Sequence, residues 1–114
     1  MSQPHNITIE FVEAIATKFP QRDAGFGNLH NVFTIEGGRK YDRIIRDKSV
    51  YAFIDLDTFE LVKPASYKTP AKLSNGETAK KYFLDTSENF MTALFNADPF
   101  GGFLYKDYEV QPLP

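Results

Sequence analysis

Hydrophobic residues along this chain change spacing several times, and each change predicts an element. Ile7, Ile9 and Phe11 alternate as in a strand, but Phe11, Val12, Ile15, Ala16 and Phe19 follow helical spacing. A helix over about residues 8–19 accommodates more of them. Asn6 or Thr8 would cap it, and Pro20 would end it. Gln21 to Asn31 lacks either period and reads as a loop around Gly25-Phe26-Gly27-Asn28. Val32 to Glu36 reads as a short strand, Gly37-Gly38 as a hairpin signal, and Lys40 to Arg46 as the returning strand. Strict alternation would put Lys40, Asp42, Ile44 and Arg46 on one face, with Tyr41, Arg43 and Ile45 on the other.

Val50 to Leu56 is the strongest strand. Val50, Ala52, Ile54 and Leu56 should share one face, and Tyr51, Phe53 and Asp55 the other. Both faces are largely apolar near the middle, which predicts a central strand covered on each side. Asp57-Thr58 supplies a turn, and Phe59 to Lys63 pairs back. Pro64 then ends pairing because it has no N–H, and Pro70 restrains Thr69. The stretch Lys63 to Lys72 (KPASYKTPAK) is therefore expected to run extended along an edge. Asn75-Gly76 is a turn, and Lys80 to Asp85 a short strand. Asp85-Thr86-Ser87-Glu88 carries helix-start chemistry, including an Asp-x-x-Glu form of the capping box. Phe90, Met91, Leu94 and Phe95 form a stripe after it, stopped by Pro99 and Gly101-Gly102. Phe103 to Val110 is a candidate last strand.

These elements predict one α+β domain over residues 1–114. Its centre is an antiparallel β-meander of three to five strands, with an N-terminal and a C-terminal helix packed on it. Composition supports a packed core. The chain has 114 residues, 42% of them hydrophobic, with 11 Phe and 6 Tyr but no Trp. Without cysteine there are no disulfides, thiolate metal sites or cysteine nucleophiles. No run approaches the ~20 apolar residues of a membrane helix, and Met1 to Asn6 lacks signal-peptide character. A soluble intracellular protein is expected.

Charge changes the picture locally. The formal net charge is −2, which argues against a surface basic throughout. Residues 38–72 nevertheless hold eight basic and five acidic residues, while the flanking segments are net acidic. A catalytic constellation is hard to assemble. His5 and His30 are the only histidines and have no ligand-spaced neighbours, so no metal or cofactor is expected. Asp55-Leu56-Asp57 superficially resembles the paired acids of metal-dependent transferases, but acids closing a strand at a turn are favoured for local hydrogen bonds. Gly37-Gly38-Arg39-Lys40 reads more readily as a charged hairpin than as a phosphate loop. The chain is expected not to be an enzyme.

The candidate chemistry is basic and aromatic. Arg39, Lys40, Tyr41, Arg43 and Arg46 lie on one strand and its approach, and Lys63, Tyr67, Lys68 and Lys72 on the proline segment. Single-stranded nucleic acid is bound by such sets, cations tracking phosphates while aromatics stack on bases. Tyr51 and Phe53 would extend the platform if their face were open. The competing reading makes Tyr51 and Phe53 core and the cations protectors of a sheet edge. A second possibility lies near the C-terminus, where Phe90, Met91, Leu94, Phe95, Phe100, Phe103, Leu104, Tyr105 and Tyr108 crowd together. Most of these should be core. The remainder would suit a dimer seam or a dock for a host protein, which the protein would inhibit or redirect.

Three pieces of the middle third carry a likeness. They are Gly38 to Tyr41, then Ser49 to Asp55 with Asp57-Thr58, then Val62 to Lys72. Together they resemble small uncharacterised proteins of tailed bacteriophages, with a strand-turn-strand leading into a Lys-Pro-Ala-Ser-aromatic-Lys-x-Pro-Ala segment. The likeness covers about residues 38–72. It departs at Phe59, where those proteins tend to carry glycine, and at Leu73 to Gly76, where an Arg-Gly or Arg-aromatic pair tends to follow. It implies a phage origin and residence in the cytoplasm of the infected bacterium, and it transfers no activity.

Overall fold

A computed structural model describes residues 3–114. Helix α1 spans Asn6–Lys18, and strands β1 (Arg22–Gly25) and β2 (Asn28–His30) form a separate antiparallel ribbon. Strands β3 (Phe33–Glu36), β4 (Tyr41–Arg46), β5 (Ser49–Asp55), β6 (Glu60–Val62) and β7 (Tyr82–Phe83) follow. They pair in sequence order, every pair antiparallel, as a five-stranded meander. Helix α2 spans Ser87–Asn96, and a 3-10 turn covers Gly102–Leu104. The α+β meander with a helix toward each end is the expected architecture.

The helices and one sheet face enclose the main core. Phe11, Val12 and Ile15 of α1 and Ala93 of α2 meet Ile44, Ala52, Ile54, Leu61 and Tyr82 of the sheet. Phe11 packs edge-on against Phe90, with centroids 5.5 Å apart. Each fully buried Phe or Ile contributes about 2 kcal/mol through removal from water.

Helix α1 begins earlier than its spacing predicts. His5 is the N-cap, its ring Nδ1 accepting from the Ile7 amide at 3.1 Å. Asp42 on β4 decides this from across the fold. Its Oδ2 accepts from the His5 amide at 2.8 Å and from the Thr8 hydroxyl at 2.6 Å. Thr8 is thereby drawn into the core instead of capping.

Residues 22–30, expected to be part of a loop around Gly25-Phe26-Gly27-Asn28, form a hairpin. Gly25, Phe26 and Gly27 all take positive φ, turning the chain tightly enough for β1 and β2 to pair. The Gly37-Gly38 turn is as expected. A Cβ on Gly38 would lie 2.5 Å from the Tyr41 carbonyl oxygen, so this close approach requires glycine. Phe59 has φ 61°, the region glycine prefers, with its ring centroid 5.0 Å from that of His5.

Strand β5 does not alternate as expected. The register slips between Ile44 and Ile45, which oppose Ala52 and Val50, leaving Tyr51 as the extra residue of a bulge. Tyr51 therefore joins Ala52 on the helix side, where its ring meets Phe33 and Phe103. Its hydroxyl donates to the Asp98 carbonyl at 2.6 Å, and burial holds its pKa well above the ordinary value.

The apolar stripe of α2 is set one step differently from the expected one. Phe90, Ala93, Leu94 and Ala97 face inward, while Met91 and Phe95 are exposed. Thr86 caps this helix, accepting from the Asn89 amide at 3.0 Å, so the Asp85–Glu88 capping box does not form. At its other end the Lys18 ammonium donates to the carbonyls of Leu94, Phe95 and Ala97. Phe103 to Val110 forms no strand. The Lys81 ammonium gathers the carbonyls of Phe103, Tyr105 and Tyr108, curling this segment into successive turns.

Candidate nucleic-acid interface

The second sheet face carries half of the basic–aromatic set. Alternation and register align Glu36, Arg43, Phe53 and Val62 in one row across β3 to β6. Phe53 and Val62 are buried although this face lies away from the helices. Tyr41 packs edge-on to Phe53 at 5.8 Å, and Lys40 sits 5.5 Å from the Tyr41 ring centroid.

The proline segment crosses this face as a folded strap; it does not run extended along an edge. Pro64 and Pro70 form an antiparallel bridge, and the Ala65 and Ser66 amides donate to the Thr69 carbonyl. The Ser66 hydroxyl accepts from the Lys68 and Thr69 amides, closing the tip. Two prolines fix φ but leave the intervening residues free to turn. The tip delivers Tyr67 onto β4 and β3. Its ring lies 4.8 Å from the Arg43 guanidinium carbon, and its hydroxyl donates to Glu36 Oε1 at 2.5 Å. Arg43 also lies 5.5 Å from the Phe53 ring centroid and forms a 3.3 Å ion pair with Glu36. The Tyr67 hydroxyl bond, and after it Arg43, hold the Glu36 carboxyl below its usual value, while the same bond raises the Tyr67 phenol.

These contacts divide the expected site. Tyr67 and Arg43 are occupied with each other and with Glu36. Tyr51 and Phe53, at 3% and 2% exposure, offer no open stacking face. Arg46 is bound to Asn31 and Asp47 and lies 4.7 Å from the Phe100 ring centroid. Arg39 and Lys40 are exposed at the β3–β4 turn, and Lys68 is exposed at the strap tip. Asp55 takes the turn role expected of it, accepting from the Asp57 and Thr58 amides.

Lys63 and Lys72 come together elsewhere. Both line a groove of about 700 Å³ between β6 and the residue after it, the segment after the strap and the turns beyond α2. Leu61, Val62, Leu73 and Leu104 give it apolar walls, and Lys81 and Lys106 add cations against Glu60 and Asp107. Glu60 is buried and already accepts from the Thr78 hydroxyl and the Lys80 amide. The Lys63 ammonium lies 4.4 Å from the ring centroid of Tyr105. Burial lowers the Lys81 pKa, with Asp107 opposing. Sequence reasoning missed Lys106 and the pairing of Lys63 with Tyr105. Some forty residues separate them from the proline segment, and no local pattern joins them.

Among the described residues, no cluster of three or more His, Asp or Glu side chains is placed to hold a metal ion, and no helix is long and apolar enough to cross a membrane. Residues 5–106 match a family of unknown function (DUF7717), and the chain belongs to that family. No curated protein and no solved structure matches it.

Proposed function

We propose that this is a non-enzymatic phage accessory protein that binds nucleic acid, single-stranded in preference, in the cytoplasm of an infected bacterium. One observation carries the reading: Lys63 and Lys72 meet Lys106 around a groove that has apolar and aromatic walls beside Glu60 and Asp107. Phosphates would sit on the ammonium groups and bases against the walls. Lys68, Arg39 and Lys40 would extend the charge beyond the groove. Tyr67 and Arg43 support the strap instead of touching the ligand.

The test is salt-dependent binding of labelled single-stranded DNA and RNA. Three phosphate contacts predict a log–log salt slope of about −2. Removing the charges of Lys63, Lys68 and Lys72 together should weaken binding and flatten that slope. No mobility shift with single- or double-stranded DNA or RNA at low salt would sink the proposal.

A second reading, a protein that binds and inhibits or redirects a host protein, draws on one feature. Phe26 is fully exposed at the β1–β2 tip in a left-handed conformation, a side chain with no internal role in view. Capture of a stoichiometric host partner that Phe26→Ser abolishes is the outcome expected of this reading; no such partner would count against it.

A further inference from the structure

We infer that Tyr105 is the stacking platform for an unpaired base, and that Lys63 moves from its ring to the adjoining phosphate when the base arrives. The inference rests on the nucleic-acid reading and assigns the residue that gives it single-strand preference.

The other aromatics of the expected set have their rings engaged. Tyr67 lies over Arg43 and is tied to Glu36, Tyr41 packs on Phe53 under Lys40, and Tyr51 and Phe53 are buried. Tyr105 is as exposed as Tyr67, at 48%, but it lines the groove and its hydroxyl makes no hydrogen bond among the described residues; the Lys63 ammonium lies over its ring and Tyr108 at a 6.4 Å centroid separation. A solvated ammonium over an exposed ring is held more weakly than a stacked base. A base can therefore take that place, leaving the displaced ammonium a flexible stem's length from the phosphate. No bond forms or breaks in the exchange; the Lys63 ammonium trades a ring quadrupole for an anion.

Lys81 prepares the platform. Its ammonium binds the Tyr105 carbonyl together with those of Phe103 and Tyr108, so the turn bearing the ring is held before any ligand enters. A groove of about 700 Å³ has the size of a small-ligand site and admits about one or two nucleotides. A base paired and stacked in a duplex cannot present its face to the ring.

Tyrosine emission provides a direct readout because the chain has no tryptophan. Titration with a short labelled oligothymidylate should quench it, and Tyr105→Ala should remove most of that quenching. The same substitution should weaken oligothymidylate binding about tenfold, with Tyr105→Phe restoring it. Competition by inorganic polyphosphate, which has charge but no base, should be unchanged in Tyr105→Ala. Phe95→Ala, at an exposed aromatic that does not line the groove, should stay within about twofold of the parent. If Tyr105→Ala binds oligothymidylate like the parent, or loses polyphosphate equally, the platform is refuted while the nucleic-acid reading stands. If the parent protein binds no oligonucleotide, that reading falls as well. Circular dichroism of both Tyr105 variants separates loss of the ring from loss of the fold.

Discussion

Tyr67 and Glu36 lie 31 positions apart in sequence, yet the tyrosine hydroxyl donates to the Glu36 carboxylate at 2.5 Å, with Arg43 held beneath the ring. This contact latches the proline strap across the sheet. The folded Glu36 carboxyl is depressed, so its contribution is fully present above the ordinary value of 4.5 and is lost as pH falls through the lower folded value. The folded Tyr67 phenol is raised, so the latch also holds below the ordinary 10.0 and is lost as pH rises through the higher folded value. Amide exchange at Ala65 and Ser66, corrected for its intrinsic pH dependence, should be slow between these limits and faster outside them. Tyr67→Phe should erase the alkaline limb. An unchanged pH profile in that variant would show that the latch does not hold the strap.

Asp42 should be the most sensitive polar position in the chain. It is fully buried, and one oxygen anchors both the His5 amide and the Thr8 hydroxyl. Asp42→Ala leaves two donors unpaired and should destabilise the fold by about 2–3 kcal/mol. Denaturant unfolding measures this, and Thr8→Val, which removes one of the donors, should cost less. A loss below about 0.5 kcal/mol for Asp42→Ala would contradict the anchoring role.

At Phe26 the expected sign is reversed. Its φ of 55° is strained for a side chain with a Cβ, and its ring contributes no burial. Phe26→Gly should leave thermal stability unchanged or raise it by up to about 1 kcal/mol. A clear fall in melting temperature would mean that the ring packs on something within the fold.

Lys18 closes the C-terminal end of α2 from the last turn of α1, its ammonium reaching the carbonyls of Leu94, Phe95 and Ala97 at 2.7–2.9 Å. Lys18→Met keeps most of the aliphatic stem and removes the charge. It should lower stability by about 1 kcal/mol, and Lys18→Arg should recover part of that loss. Equal stability of Lys18→Met and the parent protein would show that solvent satisfies those carbonyls as well.

Local periodicity and turn chemistry determined the frame by themselves. The β-branched and aromatic runs of β4 and β5, the glycine pair before Tyr41, Asp55 at the following turn and Pro20 after α1 all act within a few residues of themselves. Their physics is therefore visible in a short window. The lysines of the middle third were legible as a cationic supply for the same reason.

Tertiary structure decided the rest, through contacts that no window contains. Asp42 moved the start of α1, and the Tyr51 bulge overrode alternation by placing an aromatic ring against Phe33 and Phe103. Lys81 replaced an expected strand with turns by taking its carbonyls. The strap folded because Ser66 and Thr69 could close its tip and Tyr67 could reach Arg43 and Glu36. The same folding withdrew Tyr67 from the candidate surface and brought Lys63 to Tyr105. Sequence sets which side chains are available; packing and the need to pair buried polar groups select which of them remain for a ligand.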